Sequence, residues 1–267
     1  MTQKQNRLVS RRTTLKSLGA SVGATGILGS AGSVSADDRQ HVKPSPDASA
    51  ETITFEEFED SVSIGRSTRN RVLSQYVSFD AYQNDGDREW RISVETDLSG
   101  VMAYDDGSAS KNFVGADIEV DYPDKAEDDA QFRDDSDWVG RWGTYEERNN
   151  NEALDFLSDT GKQVAGLAID AADSTIGTAY NVVMDVGEFV TGLVGLTKDG
   201  SMRTFEWDGF GGSDPTGIAE FSVYARFEIV MNPGQKYDID ITGTGLTNTT
   251  FSNPRTVQKF TLEAPDE

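Results

Sequence analysis

The feature that most constrains this chain is a run of thirteen residues, Ala219 to Met231, in which apolar and polar side chains alternate. The apolar positions are Ala219, Phe221, Val223, Ala225, Phe227, Ile229 and Met231. A period of two places these side chains on one face of an extended chain, so the run predicts a long β-strand with one buried face. The fold must therefore contain a sheet that packs on a core.

The same alternation predicts strands elsewhere, over 53–55, 73–81, 90–98, 114–122, 237–241 and 257–262. Between Trp90 and Leu98 one face is apolar and the other charged. Turn residues separate the strands, with Asn84-Asp85-Gly86 before Trp90 and Asn232-Pro233-Gly234 after Met231. The pattern on both sides of the chain's middle is typical of an antiparallel β-sandwich.

From Asn151 to Leu196 the apolar residues recur at helical spacing instead, with a break at Asp173-Ser174-Thr175. Two consecutive helices that form a hairpin are predicted there. We therefore expect an α+β fold, an antiparallel β-sandwich with a central helical hairpin inserted between two β-rich halves. The corresponding organisation is a single β-rich domain over 51–267, with the helical insert at about 150–197.

The first 36 residues are predicted to be a twin-arginine export signal, with Arg11 and Arg12 as the arginine pair. Five basic residues and no acidic residue precede Ala36, and a glycine-rich apolar stretch lies between Leu18 and Leu28. A short membrane anchor is the other interpretation, but this stretch is short for a bilayer span. We expect cleavage after Ala36 and secretion of the folded protein.

The remainder of the chain is strongly acidic. It carries 19 basic against 46 acidic residues, a formal charge of −27. Such a charge opposes compaction in dilute buffer and is tolerated in molar salt, where the screening length falls to about 3 Å. The composition resembles exported proteins of extremely halophilic archaea, and it disfavours nucleic acid as a partner. With no Cys in the chain, disulfides and thiolate chemistry are excluded.

Candidate catalytic residues are few. The single histidine, His41, falls in a segment rich in Pro and Ser, residues 37–50, which we interpret as a linker. A histidine in a linker is a poor general base, so hydrolase triads lack their usual proton acceptor and no enzymatic activity is predicted. A carboxylate-based glycosidase stays open as the least favoured class, because no spacing singles out one pair among 46 acids.

Two local motifs suggest modification or ion binding. Asp134, Asp135 and Asp137 lie close enough in sequence to share Ca²⁺ or Na⁺, although a solvated acidic surface is the favoured interpretation, because the run lacks the regular glycine and terminal glutamate of a calcium loop. Asn248-Thr249-Thr250 is an N-glycosylation acceptor, which predicts a surface loop at Asn248. No other cofactor is expected.

The predicted hairpin is the most distinctive apolar segment, because Ile176 to Leu196 contain only two charged residues. One interpretation is that the helices cover the sheet. The other is a concealed membrane-active hairpin that acts once it is released. The residues that would carry this second function are Ile176, Val183, Asp185, Glu188, Val190 and Val194.

Two short motifs flank that segment, RDDSDWVG at Arg133–Gly140 and EWDGF at Glu206–Phe210. Together with the export signal, they resemble the larger protein halocins, the bacteriocins that halophilic archaea secrete against their relatives. The resemblance implies a secreted antimicrobial protein without catalytic residues that acts on the membrane or envelope of competing archaea, with an immunity protein as a further conceivable partner. It also implies that Asp137, Trp138, Trp207 and Asp208 define the fold around the helices.

The sequence thus predicts a secreted, halocin-like antimicrobial protein. The alternative is a non-catalytic extracellular or cell-surface binding module, in which a β-sandwich presents its surface to a glycan or a protein. Inhibition of neighbouring strains would distinguish the first from the second.

Overall fold

The computed structural model describes eleven stretches of the chain. They are residues 39–45, 52–64, 67–84, 86–104, 108, 110–126, 130–133, 139–142, 195–210, 217–248 and 252–266. These stretches form twelve β-strands and one turn of 3₁₀-helix at Asp124–Ala126. No helix among these residues is long and apolar enough to span a membrane.

Each strand is given a number in chain order. The strands are β1 (Gln40–Val42), β2 (Thr52–Ile64), β3 (Ser67–Tyr82), β4 (Trp90–Tyr104), β5 (Phe113–Asp121), β6 (Ala130–Phe132), β7 (Val139–Trp142), β8 (Gly195–Asp199), β9 (Met202–Asp208), β10 (Glu220–Met231), β11 (Lys236–Thr247) and β12 (Arg255–Glu263). The strands predicted from alternation are present, because one apolar face per strand forces an extended conformation against a core.

The strands form two sheets. Sheet A has the order β1-β12-β11-β5-β9-β8, and sheet B has the order β2-β3-β4-β10-β6, with β7 pairing further along the same edge of β10. Within the described residues, β1 and β12 run parallel and all other neighbours are antiparallel. The pairs β2–β3, β3–β4, β8–β9 and β11–β12 join consecutive strands, so part of the pairing is local in sequence.

The two sheets pack face to face over one apolar core, which makes the fold a β-sandwich. Phe79 of β3 meets Phe260 of β12 with ring centroids 4.9 Å apart, and Phe113 of β5 meets Phe221 of β10 at 4.8 Å. Both pairs are edge-to-face, an arrangement that adds to the burial of their area. These contacts join a strand of sheet A to a strand of sheet B.

Gly100 of β4 shows how tightly neighbouring strands of sheet B pack, because its register partner on β10 is Phe221. A Cβ atom at this position would lie 2.3 Å from Cε1 of Phe221, closer than any real contact. The ring therefore fills the space that a side chain would take, so glycine is required here for packing rather than for its backbone freedom.

A buried guanidinium joins three parts of the sandwich at one end. Arg71 of β3 donates from Nε to Oδ1 of Asp60 on β2 at 2.7 Å, and from Nη2 to Oδ2 of the same carboxylate. Its Nη1 donates to the carbonyl oxygen of Ser252, which precedes β12 in sheet A, at 2.8 Å. Both ions are paired and hydrogen-bonded, so their burial is tolerated.

The predicted α+β class is wrong for the described residues, which are β-sheet apart from the single 3₁₀ turn. Gly195 and Leu196, placed at the end of the second predicted helix, lie in β8 and pair with Glu206 and Phe205. Short apolar runs fit helical and strand spacing alike, and here pairing with β9 decides. The rest of the predicted hairpin, residues 151–194, lies outside the described residues.

The predicted linker over 37–50 also needs correction. Gln40–Val42 form β1, and their Cα partners on β12 are Phe260, Thr261 and Leu262. Three residues are too few to show a period, and their strand conformation depends on a partner more than 200 residues away in sequence. Sequence pattern alone does not reveal such a contact.

Candidate binding surfaces

The outer face of sheet A is acidic and open. We call it the acidic face and define it by Asp117, Glu119, Thr204, Glu206, Asp208 and Thr244. These residues alternate along β5, β9 and β11 with buried neighbours such as Ile118, Trp207 and Gly243, so the pleat points them away from the core. All six are at least partly exposed.

Strand register brings the acids of this face together. Asp117 on β5 lies between Glu206 on β9 and Thr244 on β11, which are its register partners on the two neighbouring strands. Glu119 lies opposite Thr204 on β9. Burial, followed by the charges of Glu206, Glu119 and Asp208, raises the pKa of Asp117 to about 6. Directly opposed like charges repel across a sheet. Arg255 of β12 offsets part of this repulsion, since its Nη2 lies 3.9 Å from Oε1 of Glu119.

An acidic groove continues the surface towards β1. It encloses about 310 Å³ and is lined by Arg39, Asp121, Tyr122, Pro123, Asp124, Ser201, Asp238 and Asp240. Arg39 is the cationic side chain among these lining residues. Its Nη1 donates to Oδ1 of Asp240 at 2.5 Å, and its Nε lies 4.0 Å from Oδ2 of Asp238.

Basic residues occupy every second position in and beside β1, at Arg39, His41 and Lys43. His41 Nε2 lies 2.8 Å from Oε2 of Glu263, and Lys43 Nζ donates to Oε1 of Glu263 at 3.1 Å and to Oδ2 of Asp266 at 2.6 Å. Lys236 Nζ is a further partner of Glu263, at 2.5 Å. Hydrogen bonds from Lys236, Lys43 and His41 lower the pKa of Glu263 to about 2.

The outer face of sheet B is polar as well, but it is buried. Its members on β3, β4 and β10 include Ser74, Ser93, Glu95, Asp97, Ser99, Glu220, Ser222 and Glu228, all less than 9% exposed. The hydroxyl groups of Ser99 and Ser222 share a hydrogen bond of 2.6 Å. This hydrogen bond joins β4 to β10 within the polar layer.

Glu228 is the best-connected carboxylate of that layer. It accepts a hydrogen bond from Tyr82 OH at 2.6 Å, lies 3.4 Å from Nη2 of Arg226 and 3.9 Å from Nη1 of Arg91. Arg226 in turn donates from Nε to Oγ of Ser93 at 2.8 Å. This network spans all three central strands of sheet B.

At the edge of the same face, Glu57 on β2 lies opposite Ser74. Burial, followed by hydrogen bonding with the neighbouring Glu59, raises the pKa of Glu57 to about 8. The two carboxyl groups thus hold a proton between them near neutral pH. The pKa of Asp117 on the acidic face is raised by burial first and then by the charges of nearby acids, without a hydrogen bond to another carboxyl group.

The described residues place only some of the site residues that the sequence predicts. Trp207 lies in the core on β9, 1% exposed, and Asp208 ends that strand and accepts a hydrogen bond from Gly209 N at 2.7 Å. Asn248 is exposed, as a glycosylated asparagine must be, and its backbone N donates to Asn112 O at 3.0 Å. Attachment of a glycan stays a prediction.

The remaining predicted site residues lie outside the described residues. They are Arg11 and Arg12, Asp134, Asp135, Asp137 and Trp138, and Ile176, Val183, Asp185, Glu188, Val190 and Val194. Where side chains are described, no group of three or more His, Cys, Asp or Glu residues is arranged to hold a metal ion.

Sequence reasoning missed the cluster of ion pairs around β1. His41, which the sequence predicts to lie in a linker, lies in a strand and contacts Glu263. The available signal was the placement of Arg39, His41 and Lys43 at alternate positions in a chain that is poor in cations. That pattern puts three positive groups on one side of an extended segment.

Comparisons with known proteins leave the family open. No protein-family model and no curated protein matches the chain. Among solved structures, the collagen adhesin from S. aureus is similar at 9% identity and a TM-score of 0.25, over 80% of this chain and 77% of that chain. A similarity this low supports neither a shared fold nor a shared activity.

Proposed function

We propose that this protein is a non-catalytic extracellular binding module that docks a positively charged protein surface on its acidic face. The observation that carries the proposal is the opposition of Asp117 to Glu206 on an open sheet. Placing like charges opposite each other costs free energy in the unbound state. A partner that supplies Lys or Arg side chains removes that cost and gains charge-assisted hydrogen bonds.

The sandwich supports such a role because the face is built on strands and not on loops. The alternate residues of β5, β9 and β11 are locked in the core, where Ile118, Phe205 and Ile241 are fully buried. The acids are therefore held in fixed positions before a partner arrives, which lowers the entropy cost of binding. In molar salt only contact pairs of this kind survive screening.

Export fits this proposal and stays part of it. An acidic, cysteine-free chain behind a twin-arginine motif is expected to fold before export and to meet its partner in brine. The partner would then be a protein on a cell surface or in the surrounding medium.

The test compares three forms of the protein from which the predicted signal, residues 1–36, has been removed. All three are studied in molar salt. The first is the wild type, the second is Asp117→Asn/Glu119→Gln/Glu206→Gln, and the third is Asp80→Asn/Asp87→Asn/Glu89→Gln. The third variant removes three exposed acids at the far end of sheet B and has the same net charge as the second.

Binding is measured to immobilised Lys- and Arg-rich peptides and to isolated archaeal cell envelopes. We expect retention of the wild type and the third form, and loss of retention for the second. Equal retention of all three would refute docking on the acidic face. Retention on glycan arrays but not on basic peptides would replace the protein partner with a glycan.

The halocin-like antimicrobial activity stays a prediction that rests on the resemblance of the two motifs alone. Growth inhibition of neighbouring haloarchaeal strains by the purified protein would support it. Retention on envelopes without inhibition would leave the binding module as the function.

A further inference from the structure

At the edge of sheet A, basic side chains in and beside β1 contact acidic side chains of β11 and β12. Arg39, His41 and Lys43 point outward, whereas Val42 between them is 3% exposed and Pro44 is buried. The segment therefore has two chemically distinct sides, an apolar side towards the core and a cationic side towards acids of β11 and β12.

The acceptor for this segment extends over three features. Asp240 on β11 takes the guanidinium of Arg39, Glu263 on β12 takes His41 and Lys43, and Asp266 takes Lys43 as well. Backbone pairing of β1 with Phe260–Leu262 of β12 runs between these contacts. The acidic groove next to Arg39 adds Asp121 and Asp124 to the negative surroundings.

Besides the burial of Val42 and Pro44, β1 is held by backbone pairing and by ion pairs. Its ladder comprises three residue pairs, and its ion pairs are exposed, with side-chain exposures of 35% for Arg39, 54% for His41 and 37% for Lys43. Exposed pairs contribute on the order of 0–1 kcal/mol each, and less in high salt. The ladder of β1 is the shortest in sheet A, with three residue pairs against five between β8 and β9.

The chain runs from β1 in sheet A to β2 in sheet B, so β1 can leave β12 without breaking any pairing of β2. A departing β1 exposes unpaired backbone groups on β12, which accept another strand readily. A second copy offers the same residues 39–43, and an exchange between identical copies preserves every contact.

We propose that the edge of β12 that β1 covers forms, with the adjoining acidic groove, a strand-acceptor site, and that its occupant after the chain's own β1 departs is the segment Arg39–Lys43 of a second copy. The exchange links copies of the protein through a parallel strand pair. This inference does not depend on the acidic face, because the face and the acceptor use different residues.

Complementation between two full-length variants tests the exchange. In the donor-defective variant, Arg39→Glu/His41→Glu/Lys43→Glu, the acceptor is intact and the chain's own strand is repelled. In the acceptor-defective variant, Asp240→Asn/Glu263→Gln, the segment Arg39–Lys43 is intact, and the site on β11 and β12 that binds it has lost two negative charges. Circular dichroism and thermal unfolding establish that each variant is folded before they are mixed.

Each variant alone is expected to be monomeric by light scattering, whereas the mixture is expected to give a 1:1 heterodimer. A synthetic peptide of residues 37–45 is expected to bind the donor-defective variant. Adding Glu263→Gln to that variant should weaken this binding by about tenfold or more, because Glu263 contacts both His41 and Lys43. The same peptide with Glu at 39, 41 and 43 is the matched control.

A mixture that stays monomeric while both variants are folded overturns the proposal, even if the peptide binds. Should either variant fail to fold, two differently labelled pools of wild-type protein replace them. Energy transfer that appears on incubation and is suppressed by excess peptide supports exchange, and its absence at high protein concentration overturns it.

Discussion

The two outer faces of the sandwich carry similar side chains but differ in exposure. Sheet A presents Asp117, Glu119 and Glu206 at the surface, whereas sheet B holds Glu95, Asp97 and Glu228 at 8% exposure or less. A carboxylate at the surface keeps its hydration and needs no protein partner, while a buried one must be hydrogen-bonded or paired. Similar side chains are thus solvent-exposed on one face and part of the buried structure on the other.

The largest expected effect comes from removing one carboxylate from each face. Glu228→Ala leaves Tyr82, Arg91 and Arg226 without their shared acceptor, and we expect the free energy of unfolding to fall by about 2 kcal/mol. Glu206→Ala on the acidic face is the matched control, with an expected change within about 0.5 kcal/mol. Urea unfolding of both variants in the same salt measures the difference, and equal effects would show that the two faces do not differ as proposed.

Removing one hydroxyl group from each face should also destabilise sheet B more than sheet A, by a smaller amount. Ser222→Ala deletes the buried hydrogen bond to Ser99 and should destabilise the fold by about 1 kcal/mol. Thr244→Val replaces an outward hydroxyl on sheet A and should change stability by less than about 0.5 kcal/mol. Thermal unfolding provides the measurement. A Thr244 effect as large as that of Ser222 would mean that the acidic face is a structural layer too.

Titration of Asp117 tests the electrostatic strain on the acidic face. Its pKa is raised from 3.8 to about 6, so the folded protein holds this proton more tightly than the unfolded chain does. The resulting stabilisation is complete below pH 3.8 and is lost as the pH rises through about 6. Because the group is half-exposed, the expected gain from Asp117→Asn at pH 7 is only about 1 kcal/mol at low salt.

The measurement is the stability of wild type and Asp117→Asn between pH 3 and pH 7, with Asp80→Asn as a control at an exposed site. The two curves should meet at the acid end and separate as the pH rises. A constant offset, or greater stability of the wild type at pH 7, would contradict the raised pKa.

The smallest effect distinguishes the causes of two raised pKa values. Molar salt screens the charges of Glu206, Glu119 and Asp208, so the pKa of Asp117 should fall by about 0.5 unit. The pKa of Glu57 depends on burial and on hydrogen bonding with Glu59 and should change less. Carboxyl NMR titrations at two salt concentrations compare them, and an equal fall would argue for a Coulombic origin at both sites.

Much of the fold could be predicted from alternation, and part of it could not. The pattern in Ala219–Met231 and Trp90–Leu98 identified the central strands of sheet B because burial of one face imposes a period of two. Leu196 was assigned to a helix, since a short apolar run carries no decisive period and its pairing with Phe205 is a tertiary contact. β1 was assigned to a linker for a related reason, because its partner strand is the last one in the chain.

The candidate sites were less predictable than the strands. The alternation at Arg91, Ser93, Glu95 and Asp97 predicted a charged face, but nothing in the sequence shows that this face is buried while the face of Asp117 is open. Asp117 and Glu206 are far apart in sequence, and register alone brings them opposite each other. The contact between His41 and Glu263 likewise spans almost the whole described chain.

The sequence by itself determined which side of each strand faces the core, the acidic character of the surface and the absence of thiol chemistry, because these depend only on side-chain type and on a period of two. The tertiary structure alone decided which polar face is buried, which acids are neighbours and where β1 pairs. Those properties arise from contacts between residues distant in the chain, and local sequence does not encode their geometry.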